Sequence, residues 1–195
     1  MNAKKKAIPT KSRKEPLAFF FCWTSGIEGS TALSPEGVEY YLIPQNQYIE
    51  NWEAVRLDLP KPYFEDYLGN DMGFRLFSER FRDFIEQHKQ PKDSFQWLEN
   101  PVFCGEEKRP YFILHFYNTD DVLDKSRIIW HPVDQSILKP VFCAKKIQGH
   151  SIFTYLDINH LGDIPFVTQK LKCAILNTKM TGVTFEASAV VDDLV

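Results

Sequence analysis

Two short amphipathic helices, each opened by a hydroxyl side chain, recur about ninety residues apart, and that recurrence limits the folds open to the chain. The first lies in Phe74-Arg75-Leu76-Phe77-Ser78-Glu79-Arg80-Phe81-Arg82-Asp83-Phe84-Ile85-Glu86. Ser78 can accept a hydrogen bond from an unpaired first-turn N–H, and Glu79 places a negative charge where the helix dipole favours it. The three-and-four spacing of Phe81, Phe84, Ile85 and His88 puts them on one face, with Arg80, Arg82, Asp83 and Glu86 opposite. Pro91 ends the segment. In the second helix Thr168 takes the cap position, and Leu171, Ala174, Ile175 and Thr178 take the apolar face. A strand aromatic follows each helix at the same interval, Phe95 after the first and Phe185 after the second. The units, 74–104 and 164–191, each read as an apolar lead-in, a capped helix, a polar turn and a strand. A long internal period points to duplication. The competing reading is chance recurrence of two common devices.

The 195 residues suit one domain or two interlocked halves, with 44% hydrophobic and 25% charged residues, ordinary for a globular chain. Aromatic content is high at 14%, and those rings need a core or a partner surface. Cys22, Cys104, Cys143 and Cys173 form neither a Cys-x-x-Cys pair nor a zinc-like cluster. Reduced, buried thiols are expected, with two disulfides as the alternative on count alone. The net charge of −3 conceals an asymmetry. Residues 1–16 hold six Lys/Arg against Glu15 alone, which leaves −8 on residues 17–195. A basic, disordered arm on an acidic body is expected, and such a body steers a basic partner.

Leu17-Ala18-Phe19-Phe20-Phe21-Cys22-Trp23 reads as a buried strand ended by Thr24-Ser25-Gly26, although a basic start before an apolar run also resembles a secretory signal. The run is far too short to span a bilayer. Further strands are expected at Glu39–Ile43, Ala54–Asp58, Phe95–Leu98, Pro101–Cys104, Tyr111–Tyr117, Arg127–Trp130, Val141–Ala144, Ser151–Asp157 and Val183–Val191. Gly105–Arg109 reads as a polar turn, Asn118–Lys125 has room for one helical turn, and Asp192–Val195 reads as a frayed end. The sum is an α+β fold, with two principal helices packed on mainly antiparallel sheet, over a domain of residues 17–195.

Signatures of catalysis are missing. The chain has no Gly-x-Ser-x-Gly elbow, no phosphate-binding glycine loop and no His-Glu-x-x-His pair. A Cys104–His115 dyad across a hairpin is the one enzymatic alternative, a weak signal because both residue types are common. The carboxylate groups Glu106-Glu107 and Asp120-Asp121-Asp124 sit in polar turns, where solvation is the default. Asp120–Lys125 lacks the glycine and distal glutamate of a calcium loop. No metal and no cofactor are expected. Lys4-Lys5-Lys6 can bind phosphate without specificity and has no interleaved aromatic to stack bases, so an adaptor role through the arm is a further alternative.

Three stretches together resemble a known family. They are Phe77–Glu86, then Tyr111–Phe116 with Val122-Leu123-Asp124-Lys125-Ser126, then Ile152-Phe153 through Phe166–Leu171 to Thr181-Gly182-Val183-Thr184-Phe185-Glu186. In this order they are similar to bacterial immunity proteins encoded beside polymorphic toxins, over residues 39–190. The resemblance implies a cytoplasmic, non-enzymatic protein that binds and neutralises a cognate toxin domain; the residues themselves lead us to expect no specific nucleic acid and no membrane span. It supplies no functional residues, because such families vary at the partner surface. The acidic body makes a basic toxin domain the natural complement. Exposed polar turns are free to diverge, so Glu106, Glu107, Asp120 and Asp121 are the expected contact residues.

Overall fold

The computed structural model describes residues 18–23, 28–37, 43–156 and 163–191. In chain order the first half forms β1 (Ala18–Trp23), β2 (Leu57–Asp58), β3 (Tyr67–Leu68), β4 (Leu76–Ser78), α1 (Glu79–His88), β5 (Phe95–Glu99), β6 (Val102–Cys104), β7 (Glu107–Arg109) and β8 (Tyr111–Phe116). The second half forms β9 (Ile129–Trp130), β10 (Ile137–Lys139), β11 (Val141–Cys143), α2 (Ala144–Ile147), β12 (Ile152–Phe153), β13 (Phe166–Thr168), α3 (Gln169–Asn177) and β14 (Val183–Val191). The fold is α+β. A four-stranded sheet runs β3-β4-β8-β5 and a five-stranded sheet runs β11-β14-β1-β13-β12, with a small β2-β6-β7 sheet and a separate β9–β10 ribbon. Pairing is antiparallel except between β2 and β6 and between β11 and β14.

Alternation along the central strands explains the layering. On β1, Phe19 and Phe21 face a core shared by both large sheets, while Ala18 faces a second cluster behind the five-stranded sheet. On β8, Leu114 and Phe116 face the same shared core, while Tyr111 and Ile113 face a third cluster behind the four-stranded sheet. Phe81 and Ile85 of α1, with Leu171 and Ile175 of α3, complete the shared core. Each such burial contributes about 1.5–3 kcal/mol. Phe21 sits among Tyr67, Phe77, Phe81 and Phe185 at ring separations of 5.3–5.9 Å, so much of the aromatic content goes into joining the sheets. Phe84 and Ala174 are half-buried rather than buried. Phe84 lies at the rim, its ring 4.3 Å from that of His88.

The two helical units take matching places. Ser78 Oγ accepts from Phe81 N, and Thr168 Oγ1 accepts from Leu171 N. The Arg82 guanidinium lies 3.9 Å over the Phe112 ring of β8, and the Lys172 ammonium lies 3.7 Å over the Phe19 ring of β1. Strand register moves one expected match: Trp97 pairs with Leu114 and Phe185 pairs with Phe21, so Trp97, not Phe95, stands where Phe185 does.

Other expectations shift locally. The polar segment after Cys104 turns at Gly105, whose φ of +58° suits glycine, and then enters β7. Val141–Ala144 divides between β11 and a helical turn, α2. Asn118–Lys125 holds no helix; an isolated bridge joins Leu123 to Phe142. Ala54–Asp58 and Ser151–Asp157 contract to β2 and β12. The four cysteines are free, with Cys143 buried, Cys22 and Cys104 half-buried and Cys173 exposed. Burial, then the Glu186 carboxylate, pushes the Cys22 thiol up to about 11. The basic arm, most of the Glu39–Ile43 segment and the C-terminal fray lie outside the described residues.

Candidate functional site

His115 is committed to structure. The ring is 1% exposed, its Nδ1 lies 2.9 Å from Asp163 Oδ2 and its Nε2 lies 2.6 Å from the Gln47 carbonyl oxygen. A carboxylate and a carbonyl only accept, so both ring nitrogens donate and the ring is an imidazolium. Burial opposes that charge, but the Asp163 hydrogen bond, the Gln47 carbonyl and the Asp163 charge outweigh it and raise the pKa. Asp163 Oδ2 also accepts from Phe116 N at 2.9 Å. With both nitrogens occupied, His115 cannot take a proton from a thiol, and the Cys104–His115 dyad is not assembled. Cys104 lies on β6 at the edge of the cluster behind the four-stranded sheet. Among the described residues no group of three His, Cys, Asp or Glu side chains is placed to hold a metal, and no helix is long and apolar enough to cross a membrane.

The acidic turns lie on different parts of the fold. Glu106 is exposed beside Gly105, and Glu107 opens β7 with its carboxylate 2.7 Å from Arg109. Asp120 and Asp121 leave the end of β8. Asp121 lies 3.1 Å from Lys146 and 3.7 Å from Lys125, and the Lys146 hydrogen bond leads in holding its carboxyl below the ordinary range. Asp120 lies 3.2 Å from Nε2 of the buried His150, whose Nδ1 lies 3.3 Å from Asp93. Glu107 and Asp121 each face a basic side chain, so the formal charge of these turns overstates the field they project.

The β9–β10 ribbon follows directly. Ile128 and Ile137 are buried at its base, in the cluster behind the five-stranded sheet. Beyond them Ile129 is 52% exposed, Trp130 45%, Leu138 58% and Val133 84%. Few soluble surfaces leave so many large apolar groups together without a purpose. Sequence reasoning found Arg127–Trp130 as a strand and missed the ribbon as a surface. The signal was there in Ile128-Ile129-Trp130 and Ile137-Leu138 around a Pro-containing turn: consecutive apolar residues fill both faces of a strand, though only one meets the core.

A model of the Immunity protein family (Imm11) matches residues 39–190. The matched span holds both capped helices, the acidic turns and the β9–β10 ribbon, and it leaves out β1. Comparison with curated proteins gives no match.

Proposed function

The chain belongs to the Imm11 immunity protein family, and from that premise we propose that it is a non-enzymatic protein that binds and neutralises a cognate bacterial toxin. The family match across residues 39–190 carries the reading. The occupied nitrogens of His115 support it, because the residue pair nearest to a catalytic arrangement is bound up in the fold. In this reading the toxin belongs to a polymorphic system of the same bacterium, and the two meet in the cytoplasm. Glu106, Glu107, Asp120 and Asp121 form charged rims that guide a basic toxin domain toward the surface, and apolar contacts then hold it.

Co-expression tests this. A toxin domain encoded beside the gene for this chain should arrest growth alone and permit growth when the chain is present. Failure of the chain to rescue cells from any neighbouring toxin domain would overturn the reading.

A further inference from the structure

We propose that the β9–β10 ribbon is the anchor covered by the toxin domain, in an apolar groove lacking any compensating charge. This inference rests on the toxin-binding reading and adds the surface and the character of its complement. Three observations support it.

The first is apolar surface in excess of what the fold uses. Trp130 stands opposite Ile137, and Lys139 stands opposite Ile129, with a register shift between them that leaves Leu138 as an extra residue. Bulges of this kind sharpen twist and re-aim side chains. Ile129 and Leu138 stand exposed next to the buried Ile128 and Ile137, and Val133 stands exposed in the turn. Trp is among the residue types that dominate binding energy.

The second is local charge balance. Asp124 pairs with Arg127 at 3.6 Å just before the ribbon, and the ribbon itself carries one acidic and one basic side chain, Asp134 in its turn and Lys139 on β10, so its formal charges cancel. A partner groove with strong charge of either sign would lose solvation without gaining a complement, whereas an apolar groove matches the patch.

The third is preorganisation. His131 N donates to the Ser136 carbonyl at 2.8 Å, and Ser136 N donates to Asp134 Oδ1 at 2.9 Å. The tip is closed by its own hydrogen bonds and the base is set into the core, so binding orders little further chain. The ribbon joins no other sheet among the described residues, so a partner meets no competing strand.

The test uses the full chain and the catalytically inactivated toxin domain encoded beside it. Val133→Asp and Trp130→Ala should each leave the thermal midpoint of the protein unchanged. Each should weaken binding at least about 30-fold, chiefly through faster dissociation. Tyr63→Ala, which removes an exposed aromatic ring elsewhere, should bind as the parent does. Full affinity in both ribbon variants, with the parent still binding, would overturn the ribbon assignment and leave the toxin reading standing. A parent dimer broken by Val133→Asp with toxin affinity intact would also overturn it, and would give the ribbon to a second copy of this chain. Absence of binding by the parent would overturn the reading and the inference together.

Discussion

The Asp66 carboxylate accepts hydrogen bonds from the backbone N–H and the hydroxyl of Thr181, at 2.9 and 3.1 Å. It also accepts from the Ser78 hydroxyl at 2.8 Å and from the Arg80 guanidinium. The entry to β3 is thereby tied to the turn after α3. The opposite junction uses the same chemistry with the roles exchanged: Asp93, after α1, accepts from the backbone N–H of Ser151, before β12, at 3.1 Å. Each helical unit is fastened to the other at both ends of the shared core. We propose that the units are copies of one ancestral unit, folded together within residues 17–195.

Substitution at this junction should be costly. Asp66→Asn should destabilise by about 1.5–3 kcal/mol, since it weakens charge-assisted bonds around a buried carboxylate. Burial raises the Asp66 pKa, but the hydrogen bonds from Arg80, Thr181 and Ser78 outweigh it, so the folded value lies below the ordinary carboxylate range. Its contribution is therefore complete above the unfolded value of about 3.9 and disappears as pH falls through the lower folded value. Urea titrations at neutral and acid pH should show the parent and Asp66→Asn converging below about pH 4. Gly182→Ala should be worse than a simple loss of flexibility, because φ is +74° and a Cβ would run into the Tyr67 carbonyl oxygen.

His115 and Asp163 titrate in the other direction. The folded pKa of His115 is raised, so its contribution is complete below the unfolded value of about 6.5 and is lost as pH rises through the higher folded value. Asp163→Asn leaves a buried imidazolium without its counter-charge and should cost about 3–5 kcal/mol at pH 6. Chemical denaturation across neutral to alkaline pH should show that difference shrinking as the parent loses the same proton.

The helix faces predict a graded series. Phe81 is fully buried, so Phe81→Ala should cost about 3–5 kcal/mol. Half-buried Phe84 should cost less on truncation. Ser78→Ala and Thr168→Ala each remove a cap, about 1 kcal/mol. Ser78→Ala should exceed Thr168→Ala because Ser78 also donates to Asp66. Thermal unfolding of the four variants checks the order.

These helices were legible because cap and face are local: a hydroxyl and a three-and-four spacing lie within one window of sequence. The strands were legible as apolar runs, but their partners were not. β1 pairs with β14 and β13 from the far end of the chain, and nothing in Ala18–Trp23 names them. The same holds for the forks of Gln96 and Asn100. Each carboxamide donates to and accepts from one backbone residue, Ile49 for Gln96 and Val55 for Asn100, and holds that segment against β5. The acidic turns were visible as composition, whereas the lysines facing Asp121 became visible only on folding. The ribbon was missed because its apolar residues read as core until burial divided them.

Association with the toxin should depend on salt. Screening shortens the reach of charge to about 8 Å at physiological salt and about 3 Å at 1 M, so the association rate should fall at least about tenfold while dissociation changes little. Glu106→Gln should slow encounter more than Asp121→Asn, whose charge Lys146 and Lys125 already offset. Stopped-flow mixing across a salt series measures both rates, and an association rate indifferent to salt would remove the acidic surface from the mechanism.

The most direct measurement titrates the toxin's own activity with this protein. Neutralisation by binding predicts activity falling in proportion to the protein added, vanishing at equimolar amounts, with the toxin recovered chemically unchanged after separation under denaturing conditions. Complete inactivation by substoichiometric protein, or a toxin recovered with altered mass, would contradict the account and show that the chain acts as a catalyst.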